Sequence, residues 1–185
     1  MSSFDISVLL VSKENVCRSV IAQALMCLEC RKTTQRVLID SCGVDVKKAG
    51  VGPNCIAEAC FLARRIEIFD HASRQLTKED FERYDYILTF DNANYEAAMG
   101  IRDGVKQKKS RFFSVRRKKK TPKPIITRAK LRRLTDYYPR ALKRVDEIYD
   151  NKRALEVFQN TFGVIKDCCR GFFETVIRRR ERVDY

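Results

Sequence analysis

The apolar run Ile6-Ser7-Val8-Leu9-Leu10-Val11 gives way at once to a polar stretch, Ser12-Lys13-Glu14-Asn15-Val16-Cys17-Arg18-Ser19, and an amphipathic segment begins near Val20. This order reads as a buried strand, a tight loop and the start of a helix. It is the strongest constraint on the fold, because it belongs to proteins whose strands lie parallel with helices packed against them. It also brings unpaired backbone N–H groups and the positive end of a helix toward one point, which is an anion-binding arrangement. Arg18 adds a planar guanidinium fork matched to phosphate oxygens.

The rest of the chain repeats the alternation. Ser19 is placed to cap a helix running to about Arg31, with Ile21, Ala24, Leu25 and Leu28 inward. Arg36 to Ser41 reads as a second strand, and Gly43, Gly50, Gly52 and Pro53 punctuate the loop after it. Asn54 to Arg65 is predicted helical with Ile56, Ala59, Cys60 and Ala63 on one side. Thr77 is placed to cap a short helix from Lys78 to Arg83, with Asp80 in a capping-box position. Tyr84 to Phe90 is a third strand, followed by a helix from Asn92 to Met99, and Arg111 to Val115 is predicted as a fourth strand. Phe158, Phe162, Ile165, Cys169, Phe172 and Val176 recur at helical spacing and mark a last, core-facing helix. The expected fold is therefore α/β, a four-stranded parallel sheet with helices on both faces and ligands at the carboxyl ends of the strands. Residues 1–185 are expected to form one domain, with a basic loop at about 106–133 and a short extra segment at about 139–151.

Charge is concentrated in that loop. The chain has 38 Lys and Arg against 24 Asp and Glu, a net charge of +14. From Lys106 to Arg133 there are 14 basic residues and no acidic one, so the remainder is formally neutral. The tract Arg116 to Pro124, five consecutive basic residues followed by prolines, should be solvated. It has the composition of a nuclear-import signal or of a polyanion-binding loop, for nucleic acid or an anionic membrane surface, with a loop lacking any partner as the alternative. Phe112 and Phe113 read as strand core, and Ser110 and Ser114 as candidate phosphorylation sites amid the basic residues. No apolar run approaches the roughly 18 residues of a membrane span, and the acidic, short-apolar start does not resemble a secretory signal. A cytoplasmic protein is expected, with the basic tract adding the nucleus. Its eight cysteines are then expected to be reduced thiols. Cys27 and Cys30 form a CxxC, but a single histidine and no second CxxC argue against zinc, and neither metal nor cofactor is expected.

The loop and several later phrases together resemble the low-molecular-weight protein tyrosine phosphatases, whose phosphate loop is a cysteine, five residues, an arginine and a serine after the first strand. Here that frame runs from Ser12 to Arg18 and Ser19. The phrase His71 to Phe81, then Asp85-Tyr86-Ile87-Leu88, the pair Asp91 and Asn94, and Cys168-Cys169-Arg170 are similar in the same order. The resemblance covers about Ser7 to Phe173. It implies a phosphate loop of Ser12, Lys13, Glu14, Asn15, Val16, Cys17 and Arg18, braced by Asn15, Ser19, Ser41 and His71. In the family a thiolate attacks phosphorus, the arginine and loop N–H groups hold the transferred oxygens, and an aspartic acid protonates the leaving phenol.

The departures matter as much. Ser12 stands at the nucleophile position, and an alcohol there lacks both the low pKa of a loop thiol and a neighbouring base. Glu14 replaces a glycine, so either its carboxylate turns to solvent or it opposes a bound dianion, with backbone strain if φ is positive. Val20 replaces a proline. The general acid falls on Asp136 if the acid is aligned and on Thr135 if Tyr137 and Tyr138 are aligned; those tyrosines inherit a suggested phosphorylation. Cys17 matches the second loop cysteine, and its redox pairing with the nucleophile is lost with Ser12. Several changes together point to natural degeneration rather than one introduced substitution. The sequence is therefore expected to encode a catalytically impaired, phosphatase-like protein that binds phosphate or a phosphorylated partner. The alternatives are an active protein tyrosine phosphatase hydrolysing phosphotyrosine or aryl phosphates, and polyanion binding through Lys106 to Arg133.

Overall fold

The computed structural model describes residues 4–67, 69–104, 127–139 and 154–181, with only the backbone described for 154–158 and 181. Four strands, β1 (Ile6–Ser12), β2 (Val37–Gly43), β3 (Tyr86–Thr89) and β4 (Lys130–Arg133), form a sheet in the order β2-β1-β3-β4. Every pairing is parallel; at the carboxyl end of β1, Val11 sits opposite Cys42 on one side and Thr89 on the other. All seven residues of β1 are buried. Ile6, Val8 and Leu10 point into a layer shared with α1 (Arg18–Cys30), α2 (Cys55–Ala63) and α5 (Ala154–Phe172). Leu9 and Val11 point the other way, against Phe81 of α3 (Asp80–Arg83) and Ala98 of α4 (Asn92–Arg102). The expected α/β fold, a four-stranded parallel sheet with helices on both faces, is the observed one.

Several elements differ from the sequence reading. The fourth strand is Lys130–Arg133, and only Leu131 of it is buried, so a pattern of basic residues concealed it. The segment Arg111 to Val115, the tract Arg116 to Pro124 and the extra segment at 140–151 lie outside the described residues. Helix α1 begins one residue before Ser19, which is a fully buried helical residue and not the cap. On α2 the inward face is Ala57, Cys60 and Phe61, while Ala59 and Ala63 are exposed; the single phenylalanine sets the rotation because it has most to bury. Asn54 caps this helix, accepting the Ala57 N–H at 2.9 Å. At α3 the Asp80 half of the expected capping box forms, Thr77 donating its N–H to the Asp80 carboxylate at 2.9 Å, while the helix itself begins at Asp80 and not at Lys78. Helix α4 extends beyond Met99 to Arg102.

The stripe on α5 holds at Phe162, Ile165, Cys169 and Phe172, all buried. It then slips: a π-helical turn at Phe173–Ile177 leads into α6 (Arg178–Glu181), so that Ile177 takes the core position expected of Val176. One extra residue per turn accounts for that displacement.

Candidate functional site

Where β1 ends, the chain turns sharply from Ser12 to Arg18 and enters α1. Asn15 makes the turn possible. Its φ is 59°, the left-handed region that asparagine tolerates better than most residues. Glu14 is not among the positive-φ residues, so the strain expected from its replacing a glycine is absent.

Asn15 is fully buried and is the hub of the loop. Its N–H donates to Ser12 Oγ at 3.3 Å, and its Nδ2 donates to Ser19 Oγ at 3.1 Å and Ser41 Oγ at 2.9 Å. Its Oδ1 accepts the Arg74 N–H at 3.0 Å, and its carbonyl accepts from His71 Nε2 at 2.8 Å. Ser41 passes the network on, donating to Gln23 Oε1 at 2.6 Å. Thus the structure brings together all four bracing residues expected from the sequence: Asn15, Ser19, Ser41 and His71. The loop backbone is also held from outside, with Val44 and Asp45 N–H groups on the Ser12 and Lys13 carbonyls at 2.9 Å and the Asn54 N–H on the Val16 carbonyl at 2.8 Å. That first pair requires Gly43, since a Cβ there would lie 2.6 Å from the Lys13 carbonyl oxygen. By contrast, the N–H groups of Glu14, Val16 and Cys17 meet no acceptor among the described residues.

Ser12 is 3% exposed, and its Oγ lies 2.8 Å from Ser19 Oγ. Among the described residues neither a carboxylate nor an imidazole hydrogen-bonds that hydroxyl; His71 is spent on the Asn15 carbonyl. Arg18 is buried, with Nη1 donating to Asp91 Oδ2 at 2.9 Å and its guanidinium 5.7 Å from the Phe90 ring centre. Asp91 does two things at once, since its Oδ1 accepts the Asn94 N–H at 2.6 Å and caps α4. Glu14 turns outward to Lys47, 3.0 Å away. Burial pushes the Cys17 thiol up to about 11, outweighing the nearby Arg18 and the hydrogen bond to Asn54.

Asp136 is bonded to a different partner. It lies in a 3₁₀ turn, Leu134–Tyr137, with its carboxylate on the Arg133 side chain at 2.9–3.0 Å. Arg133 in turn donates to Asn92 at 2.8 Å. No hydrogen bond or ion pair among the described residues joins Asp136 to Ser12 or Arg18. The neighbouring Thr135 is buried instead, and its Oγ1 has no hydrogen-bond partner there. Sequence reasoning did not anticipate the Arg18–Asp91 pair, Gln23 or the Arg74 N–H. The first two left signals: an Asp-x-x-Asn cap just after the third strand, and a polar residue four positions after Ser19 on an otherwise apolar helix.

Fold and site together define a class, an open parallel α/β protein with a braced, arginine-bearing loop after its first strand. A family model described as low molecular weight phosphotyrosine protein phosphatase matches residues 7–125. The low molecular weight phosphotyrosine protein phosphatase of Sus scrofa is 33% identical over 176 residues, covering 92% of this chain and 95% of the relative. Among solved structures, YfkJ from Bacillus subtilis is similar with a TM-score of 0.73 at 22% identity, covering 97% of this chain and 99% of that one. A cysteine-to-serine mutant of YwlE arginine phosphatase with a phosphorylated active site serine has a TM-score of 0.68 at 18% identity, covering 94% and 99%. The chain belongs to the low molecular weight phosphotyrosine protein phosphatase family.

Proposed function

We propose that the protein is a catalytically impaired member of this family, holding phosphate or a phosphorylated partner in the loop from Ser12 to Arg18. The observation that carries the reading is Ser12 itself: a buried hydroxyl at the end of β1 whose hydrogen bonds are to Ser19 Oγ and the Asn15 N–H, with no base bonded to it among the described residues. Serine nucleophiles depend on such a base. Cys17 does not substitute, because a thiol near 11 is ionised in only about one molecule in 10⁴ at pH 7. The general-acid position supports the same reading: the Asp136 carboxylate is held in an ion pair by Arg133, and a threonine is no acid. Binding is another matter. The N–H groups of Glu14, Val16 and Cys17 are without acceptors, Arg18 is fixed by Asp91, and Glu14 turns away, all of which favours an anion in the loop.

The competing reading is an active phosphatase of unusual chemistry. The phosphorylated serine of the YwlE mutant shows that, in that protein, an active-site serine can carry a phosphoryl group. In this chain such an ester would be a dead end without an acid or base to release it. Aryl-phosphate hydrolysis separates the two. The native chain is expected to give no turnover, and steady hydrolysis that disappears in Arg18→Ala would overturn the proposal. The partner's identity aside, a cytoplasmic or nuclear location belongs to this same reading; no described helix is long and apolar enough to cross a membrane.

A further inference from the structure

The phosphate loop does not use the molecule's excess charge, and the described part of the basic segment shows where some of it goes. Lys130 Nζ lies 5.5 Å from the centre of the Tyr86 ring, and the Arg180 guanidinium, from the far end of the chain, lies 5.9 Å from the same ring. The edge strand β4 and the helix α6 are thereby brought to one face. Among the residues whose side chains are described, the carboxylates there are already taken: Asp85 by Arg128, Asp136 by Arg133 and Glu174 by Arg178. Lys130, Arg132, Arg179 and Arg180 have no carboxylate partner among the described residues. Like charges gathered without counter-charges repel one another in the free protein, and an anionic partner relieves that repulsion.

We infer that the β4 edge and α6 form a nucleic-acid-binding face that grips phosphates without reading bases. Charge complementarity extends along the sequence, because β4 closes the segment from Lys106 to Arg133 that contains no Asp or Glu. Among the described residues β4 pairs with β3 alone; the Lys130 N–H is spent on the Asp85 carbonyl and the Arg133 N–H on Asp136, so the outer edge adds one backbone donor, the Leu131 N–H between Lys130 and Arg132, to which a phosphate oxygen can bond. An anionic membrane fits less well. Surface-bound helices of that kind bury apolar side chains in the lipid, and the exposed large hydrophobic residues described here, Phe4, Val51 and Leu62, belong to neither element.

The test is binding of the full chain to fluorescent single- and double-stranded oligonucleotides of arbitrary sequence, measured by anisotropy across a salt series. Affinity is expected to fall steeply with salt and to vary little with sequence. The double variant Arg132→Gln with Arg179→Gln alters two exposed side chains and is expected to weaken binding tenfold or more and lower the salt slope by about two. A variant with the same charge change elsewhere, Lys48→Gln with Arg65→Gln, is expected to stay within about twofold. Equal losses in the two variants, or no loss in the first, would overturn the face. So would vesicles of phosphatidylserine binding the chain while oligonucleotides do not. The same must hold with Arg116 to Lys120 neutralised: if Arg132→Gln with Arg179→Gln then costs nothing, the tract and not the face is the site.

Discussion

Asn15 concentrates five hydrogen bonds and a left-handed backbone in one buried residue. Its two contributions are separable. Asn15→Gly keeps the backbone geometry and loses the side-chain bonds, leaving the Arg74 N–H without an acceptor and the Ser19 and Ser41 hydroxyls each short of one donor. Asn15→Ala loses the same bonds and adds the steric cost of a positive φ, roughly 1 kcal/mol. Urea denaturation should therefore show losses of about 2–4 kcal/mol for both, with alanine the worse of the two, the reverse of their usual order. The nucleophile position gives a second expectation. Ser12→Cys supplies a thiolate beside Arg18 but no acid, so hydrolysis should return for substrates whose leaving group needs no protonation. Rates should then be far higher for p-nitrophenyl phosphate than for phenyl phosphate. Equal rates on the two would mean that an acid is present after all, and Thr135→Asp is expected to narrow the gap.

At the scale of elements, two glycines of α5 should respond with opposite signs. A Cβ at Gly163 meets nothing within 4 Å, whereas one at Gly171 would fall 1.9 Å from the Tyr137 carbonyl oxygen. Gly163→Ala should stabilise by up to about 1 kcal/mol through helix propensity. Gly171→Ala should destabilise by about 1–3 kcal/mol, because the helix must move off the turn that holds Thr135 and Asp136. Carboxylates tie other elements together. Asp40 of β2 meets Arg74 and Tyr84, and Asp85 meets Ser7 and Arg128. Burial pushes both carboxyls up, but these hydrogen bonds and cations more than reverse it and leave both below the ordinary range. A depressed folded pKa stabilises above the unfolded value, about 3.9, and that stability is lost as pH falls through the lower folded value. Unfolding free energy should thus decline below about pH 4, and less so in Asp40→Asn. How far such elements were legible follows their physics. β1, β3 and α5 bury continuous or periodic apolar residues, and the sequence pattern located them. β4 buries one leucine among basic residues, and the π-helical slip at Phe173 depends on packing, so neither left a periodic signal.

For the whole molecule, the loop's position at the junction of both core layers makes its occupancy a matter of global stability. The bracing residues come from the loop itself, α1, β2 and the stretch before Arg74, and they were expected through the family resemblance and not through a local pattern. The Arg18–Asp91 pair was half legible: the Asp91 cap motif stands in the sequence, but its partner lies 73 positions away and only the sheet order brings the two together. A ligand that binds the folded loop and not the unfolded chain raises stability by RT ln(1 + [L]/Kd), about 2.7 kcal/mol at a hundredfold excess over Kd. Inorganic phosphate is therefore expected to raise the thermal midpoint of the native chain in a saturable manner. The strong positive charge makes any salt a confounder, so the comparison is with chloride at equal ionic strength. The saturable increment should persist in Ser12→Ala, because the neutral Ser12 hydroxyl does not balance the anion's charge. It should vanish in Arg18→Ala, which removes the buried cation and leaves Asp91 facing the loop. A phosphate increment that survives in Arg18→Ala would place the anion on another basic surface, and its absence from the native chain would mean that the loop has lost binding together with catalysis.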